Sequence, residues 1–144
     1  MEKSIEYSLK AKKHKFPTAK ITSPENIYEY ARNFYGSDID IYESFFLIVM
    51  NNANETTGFA KISQGGIVET AVDVRLISKY AIDALAMSIA VVHNHPSGRL
   101  VPSESDKKVT KKIQAAMDVF GIRFLDSVVI SRDGYYSFSD AGLI

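Results

Sequence analysis

Residues 42–50, Tyr-Glu-Ser-Phe-Phe-Leu-Ile-Val-Met, end in a nearly continuous apolar run, and residues 88–92, Ser-Ile-Ala-Val-Val, form a second. Runs this short, with no polar face, read as strands buried on both sides, and such strands need cover above and below the sheet. The rest of the chain supplies it. Ser23-Pro24-Glu25 offers a capping hydroxyl, a proline at the first helical position and an acid in the first turn. Ile27, Tyr30, Ala31 and Phe34 follow at helical spacing, with Gly36 as the stop. Asp73 is placed to cap a helix over residues 74–87 with an apolar face of Leu76, Ile77, Tyr80, Ala81, Ala84 and Leu85. A third helix is expected from Ser103 to about Phe120, closed by Gly121.

Turn chemistry joins these elements. Asn51-Asn52-Ala53-Asn54 folds residues 56–63 back as an antiparallel partner, and residues 67–72 read as a further short strand. Residues 122–131 and 135–138 form a hairpin about Arg132-Asp133-Gly134. Hairpins mixed with helices predict an α/β domain, a sheet flanked by helices.

The 144 residues suit one domain, and 46% hydrophobic with 24% charged residues exclude a wholly disordered chain. Lys+Arg and Asp+Glu number 17 each, so no global field recruits nucleic acid or anionic membrane. There is no cysteine, which removes disulfides, thiolate zinc sites, iron–sulfur clusters and cysteine nucleophiles. No apolar run nears the roughly 18–20 residues of a membrane span, and the N-terminus lacks a secretory core, so a cytoplasmic location is expected. Residues 1–20 form a basic arm, with Lys3, Lys10, Lys12, Lys13, Lys15 and Lys20 against Glu2 and Glu6.

The chemistry gathers after the second apolar run. His93 and His95 stand two apart at a strand end, where side chains i and i+2 share a face and two imidazoles converge on one ion. Ser103 and Asp106 are three apart in the first turn of the next helix and so face one site. Two imidazoles and a carboxylate suit zinc, and three protein ligands leave a fourth position for water, whose pKa would fall to about 7. Each piece has an ordinary alternative: a loop histidine pair, a helix cap, a proline-shaped loop. It is their meeting in one crevice that points to a site. The spacing excludes other chemistries. A cysteine-liganded deaminase has no cysteines, a His-Glu-x-x-His helix is missing, and no Gly-x-Ser-x-Gly elbow exists.

His93-x-His95, seven residues, Ser103, two residues, Asp106 is similar to the JAMM motif of MPN-domain metallopeptidases. The flanking AVVHNHPSGRLVPSESD, FGIRFLDSVVIS and GYYSFSDAGLI resemble the RadC-like branch, and with ITSPENIYEYARNF the likeness covers residues 21–144. The resemblance implies an MPN fold, a curved mixed sheet with helices around it, and one zinc per chain held by His93, His95 and Asp106. It implies that Ser103 steadies the oxyanion, and that a glutamate before the aromatic-apolar strand, matched by Glu43, acts as general base. Composition alone does not separate Glu43 from Glu55, Glu69 or Asp73. Two features depart from the family pattern: only the basic arm stands where full-length RadC proteins carry a helix-hairpin-helix segment, and Arg99-Leu100-Val101 replaces an acid and smaller polar residues.

The expected function is a zinc metallopeptidase or isopeptidase that cleaves an amide of a peptide or protein substrate. The rival is a DNA-repair or mobile-element accessory module with a structural metal. In that reading the arm and Lys107, Lys108, Lys111 and Lys112 meet phosphates, although those lysines form two adjacent rows that also suit a solvated helix face. Strand edges are compatible with a homodimer, and no membrane partner is expected.

Overall fold

In the computed structural model, which describes residues 1–65 and 71–144, the two apolar runs lie side by side inside a five-stranded sheet. β1 (Ser44–Met50) and β3 (Ser88–Asn94) pair antiparallel, with Phe45 opposite His93 and Met50 opposite Ser88. Every residue of both strands is buried. β2 (Thr56–Gln64) flanks β1 antiparallel, and β4 (Arg123–Ser131) flanks β3 in parallel. β5 (Gly134–Ser137) folds back on β4, giving the order β2-β1-β3-β4-β5. Parallel neighbours need a crossover, and α3 (Glu104–Phe120) is the helix that makes it.

Alternation along the strands sorts the core into two layers. Phe45, Leu47, Val49, Ile89 and Val91 meet Ile77 and Ala81 of α2 (Val74–Asp83) and Ile113 and Met117 of α3. Ile48, Met50, Ala90, Val92, Val128 and Ile130 pack on the other face against Ile27, Tyr30 and Ala31 of α1 (Pro24–Ala31). Continued one step further along β3, this parity assigns His93 to the α3 side and Asn94 to the α1 side. The expected sheet flanked by helices is what the chain forms.

Several boundaries differ from expectation. α1 ends at Ala31 and tightens into a 3-10 turn over Arg32–Phe34. The polar stretch Ser37–Asp40 is also a 3-10 turn, because Ile39 within it is buried. α2 stops at Asp83, not Met87: Leu85 adopts a left-handed backbone (φ 54°) and lies exposed, as does much of Leu76. The buried face of α2 is therefore Ile77 and Ala81, narrower than the six residues expected. Most of the strand expected over residues 67–72 falls outside the described residues, and Ala71 and Val72 belong to no strand.

Residues 1–15 of the basic arm are exposed and lie outside helices and strands. Ordered packing begins before Ile21. Phe16 sits among the rings of Tyr30, Phe34 and Phe59, and Thr56 N–H donates to Ala19 C=O at 2.8 Å. Among the described residues, no helix is long and apolar enough to cross a membrane.

The C-terminal hairpin is tied down by one buried carboxylate. Asp126 Oδ1 accepts from the backbone N–H groups of Ser127 (2.8 Å) and Ser139 (2.9 Å), and Oδ2 accepts from the Ser137 hydroxyl (2.5 Å). Burial raises the Asp126 pKa, and these three donors work against that rise without cancelling it. Asp126→Ala strands two buried donors and the part-buried Ser139 N–H and is expected to cost about 3 kcal/mol in urea unfolding, whereas Asp126→Asn keeps an acceptor for both backbone groups and costs less than half as much. A carboxyl whose folded pKa is raised contributes stability that is full below its unfolded value and is lost as pH rises through the folded value. The Asn variant should therefore gain on the wild type as pH rises through that range, which unfolding curves at several pH values will measure.

Candidate metal centre

Three chain elements end at one place. β3 delivers His93, its penultimate residue, toward α3, and the chain leaves the strand at His95, whose backbone N–H still reaches Ile130 C=O of β4 at 3.3 Å. Pro96 and Ser97 then turn back. Gly98 takes φ +82°, a conformation that suits glycine, and its N–H bonds to His95 C=O at 2.9 Å. That turn aims the Arg99 carbonyl at the His95 ring, 2.8 Å from Nδ1. Nδ1 carries the donated proton, so Nε2 is the nitrogen presented to the site.

α3 supplies the carboxylate. Its buried stripe runs Asp106, Thr110, Ile113 and Met117, so helical periodicity alone turns Asp106 inward. Asp106 is also the third residue of the helix. Ser103 Oγ accepts from Asp106 N–H at 3.0 Å, and Asp106 Oδ2 accepts from Ser103 N–H at 2.8 Å, a reciprocal capping box. Oδ1 lies 3.3 Å from His93 Nε2, and Oδ2 lies 3.2 Å from His95 Nε2. Glu43, immediately before β1, brings its Oε1 to 3.8 Å from His95 Nε2.

Glu43, His93, His95 and Asp106 thus each offer a ligand atom, and these atoms all lie within 4.8 Å of one another. Burial works to raise the Asp106 pKa, but the His93 and His95 imidazoles standing against the carboxylate hold it well below the usual carboxylate range. The hydrogen bond to Asp106 raises His95; burial opposes it, while the Arg99 carbonyl and the Glu43 charge reinforce it. Both ring nitrogens of His93 are buried without a hydrogen bond of good geometry, although Nε2 stands close to Asp106. A buried imidazole left in that state beside two carboxylates is a donor set in want of a cation. The four residues fit a divalent metal ion. A cavity of about 200 Å³ opens onto Glu43, His93 and Asp106, walled by Phe45, Val72 and Val109.

The structure therefore brings together His93, His95, Asp106 and Glu43 as the sequence led one to expect, and seats Ser103 beside them as a helix cap. It also separates Glu43 from its competitors. Glu55 lies in the turn after β1, where its side chain accepts from Asn51 at 3.4 Å, and Asp73 caps α2 and pairs with Arg75. Glu69 lies outside the described residues. What the sequence did not reveal is Asn94, treated there as a spacer. Its fully buried side chain accepts from Ser44 N–H and donates to Ile39 C=O and Tyr42 C=O, all at 2.8 Å. The available signal was a polar residue on the same face as Ala90 and Val92 of a strand with no polar side.

The comparisons agree with this geometry. Residues 21–143 match the family model of the RadC-like JAB domain. A UPF0758 protein of Flavobacterium johnsoniae is 42% identical over 102 residues, covering 71% of this chain and 44% of its own length. One from Fusobacterium nucleatum is 34% identical over 127 residues, covering 88% of this chain and 54% of its own length. The chain spans about half the length of these relatives. By fold, by the placement of its histidines and acids, and by the extent of the match, the chain belongs to the RadC-like JAB domain family.

Proposed function

We propose that this protein is a zinc-dependent hydrolase that cleaves an amide bond of a peptide or protein, as a peptidase or isopeptidase. The observation that carries the reading is the convergence of Glu43, His93, His95 and Asp106, with the His93 ring buried and lacking a well-formed hydrogen bond. His93 Nε2, His95 Nε2 and the Asp106 carboxylate would hold the ion. When bound, zinc supplies Lewis-acid chemistry, polarising a carbonyl oxygen and acidifying a water.

The chain's own groups do the rest. Glu43 takes a proton from the attacking water as its oxygen bonds to the carbonyl carbon, and hands that proton to the departing nitrogen as the C–N bond breaks. Ser103 already accepts from Asp106 N–H, and its part in the reaction is that of a hydroxyl donor to the oxyanion. The backbone carbonyl of Arg99 keeps the His95 ring in one orientation throughout.

Metal analysis of protein purified without chelator or histidine tag should find about one zinc per chain, lost in His95→Ala. Protein that neither holds zinc nor takes it up overturns the reading. Metal uptake must displace the proton that His95 shares with Asp106, so zinc affinity should fall as pH drops below the raised His95 value; calorimetric titration across pH, with proton release counted, checks this. On a panel of peptide and isopeptide substrates, Glu43→Gln should keep zinc and lose hydrolysis, while Ser103→Ala should lose about 10²–10³ in turnover.

A second reading, a nucleic-acid accessory module, has one observation in its favour. The arm lysines and Lys108, Lys111 and Lys112 of α3 are all exposed. Deleting residues 1–15 should then abolish a salt-dependent DNA affinity, and absence of binding at low salt removes this reading.

A further inference from the structure

Glu43, like His95, lies just outside the strands; its C=O accepts from Gly65 N–H at 2.8 Å beyond the end of β2, but no pair of the β1–β3 ladder holds it on the β3 side. β1 begins at Ser44, and the last pair between β1 and β3 is Phe45 with His93. Beyond that pair the sheet ladder no longer constrains the backbone on this side. The Asn94 side chain stands where the ladder stops. Its Oδ1 accepts from Ser44 N–H and its Nδ2 donates to Tyr42 C=O, so it grips both peptide groups that bracket Glu43. Its second Nδ2 hydrogen goes to Ile39 C=O in the preceding 3-10 turn. The amide orientation is forced: an N–H faces one end and two carbonyls face the other, so a flipped amide would oppose like groups at all three contacts.

Asn94 is also the residue between His93 and His95. Strand alternation sends the histidine rings to the α3 side and the Asn94 amide to the opposite side, toward the segment that carries Glu43. One residue of β3 thus joins the two histidines through its backbone and the peptides that bracket Glu43 through its side chain.

We infer that Asn94 is the positioning residue for Glu43: its buried amide replaces the missing ladder pair and sets the Glu43 carboxylate against His93 and His95. The inference rests on the hydrolase reading above, because it presupposes that Glu43 faces a bound metal and its water. A merely stabilising asparagine would affect folding without acting through Glu43, and this is what separates the two.

The test uses cobalt(II) in place of zinc and reads its visible absorption band, which responds to the ligands and to what hydrogen-bonds with the remaining coordination position. Wild type, Glu43→Gln, Asn94→Ala and the double variant are loaded and compared at one pH. Each should take up one cobalt per chain. The Asn94→Ala band should move from the wild-type position in the same direction as that of Glu43→Gln, and the double variant should move no further than Glu43→Gln alone. An Asn94→Ala band that coincides with wild type, or a shift that adds to that of Glu43→Gln, overturns the inference. If Asn94→Ala does not accumulate as folded protein, Asn94→Ser, which leaves room for a water and cannot reach both flanking peptides, is judged by the same two outcomes. Failure of the wild type to bind cobalt overturns the hydrolase reading itself and this inference with it; cobalt uptake with an unmoved band overturns the inference alone.

Discussion

Burial of β3 on both faces is the constraint from which the site follows. A strand with no solvent side has no neutral position: each residue belongs to one core layer or the other. Where the apolar residues run out, the same alternation continues in polar form, with His93 in one layer and Asn94 in the other. The histidine meets the helix that crosses over to β4, and the asparagine meets the segment entering β1. The centre therefore lies at the carboxyl end of the parallel pair β3–β4, where open sheets leave a crevice.

The groups meeting there would be costly companions in a core without compensation. Two carboxylates and two imidazoles are half-buried or buried within a few ångströms of one another. In the metal-free protein, the cost is offset by the proton between His95 and Asp106 and by the backbone N–H of Ser103. A divalent cation is the larger compensation, since it satisfies several lone pairs at once, including those of a His93 ring with no good hydrogen-bond partner.

Much of this was legible because the signals were local. Residues 44–50 and 88–92 lack a polar face, Ser23-Pro24-Glu25 and Ser103 start helices, and His-x-His with Ser-x-x-Asp fixes four positions by spacing. The misreadings were tertiary. Leu85 fits a helical face in sequence, but the chain turns left-handed there and the side chain is exposed. Glu43 was no misreading, but composition left it open among four acids, and it was the resemblance, through a glutamate just before the aromatic-apolar strand, that singled it out. Asn94 was overlooked for a tertiary reason: its three partners lie 50 or more residues away along the chain.

Asp106 has two employments, and their overlap bears on how diverging copies of this domain are to be understood. Its Oδ2 both completes the box that starts α3 and faces His95. A descendant that lost its histidines would still gain helix stability from the cap that Ser103 and this acid make at the start of the crossover helix. Retention of the Ser-x-x-Asp pair is therefore evidence that the helix has been preserved, whereas the histidine pair, which no helix requires, records whether the chemistry has.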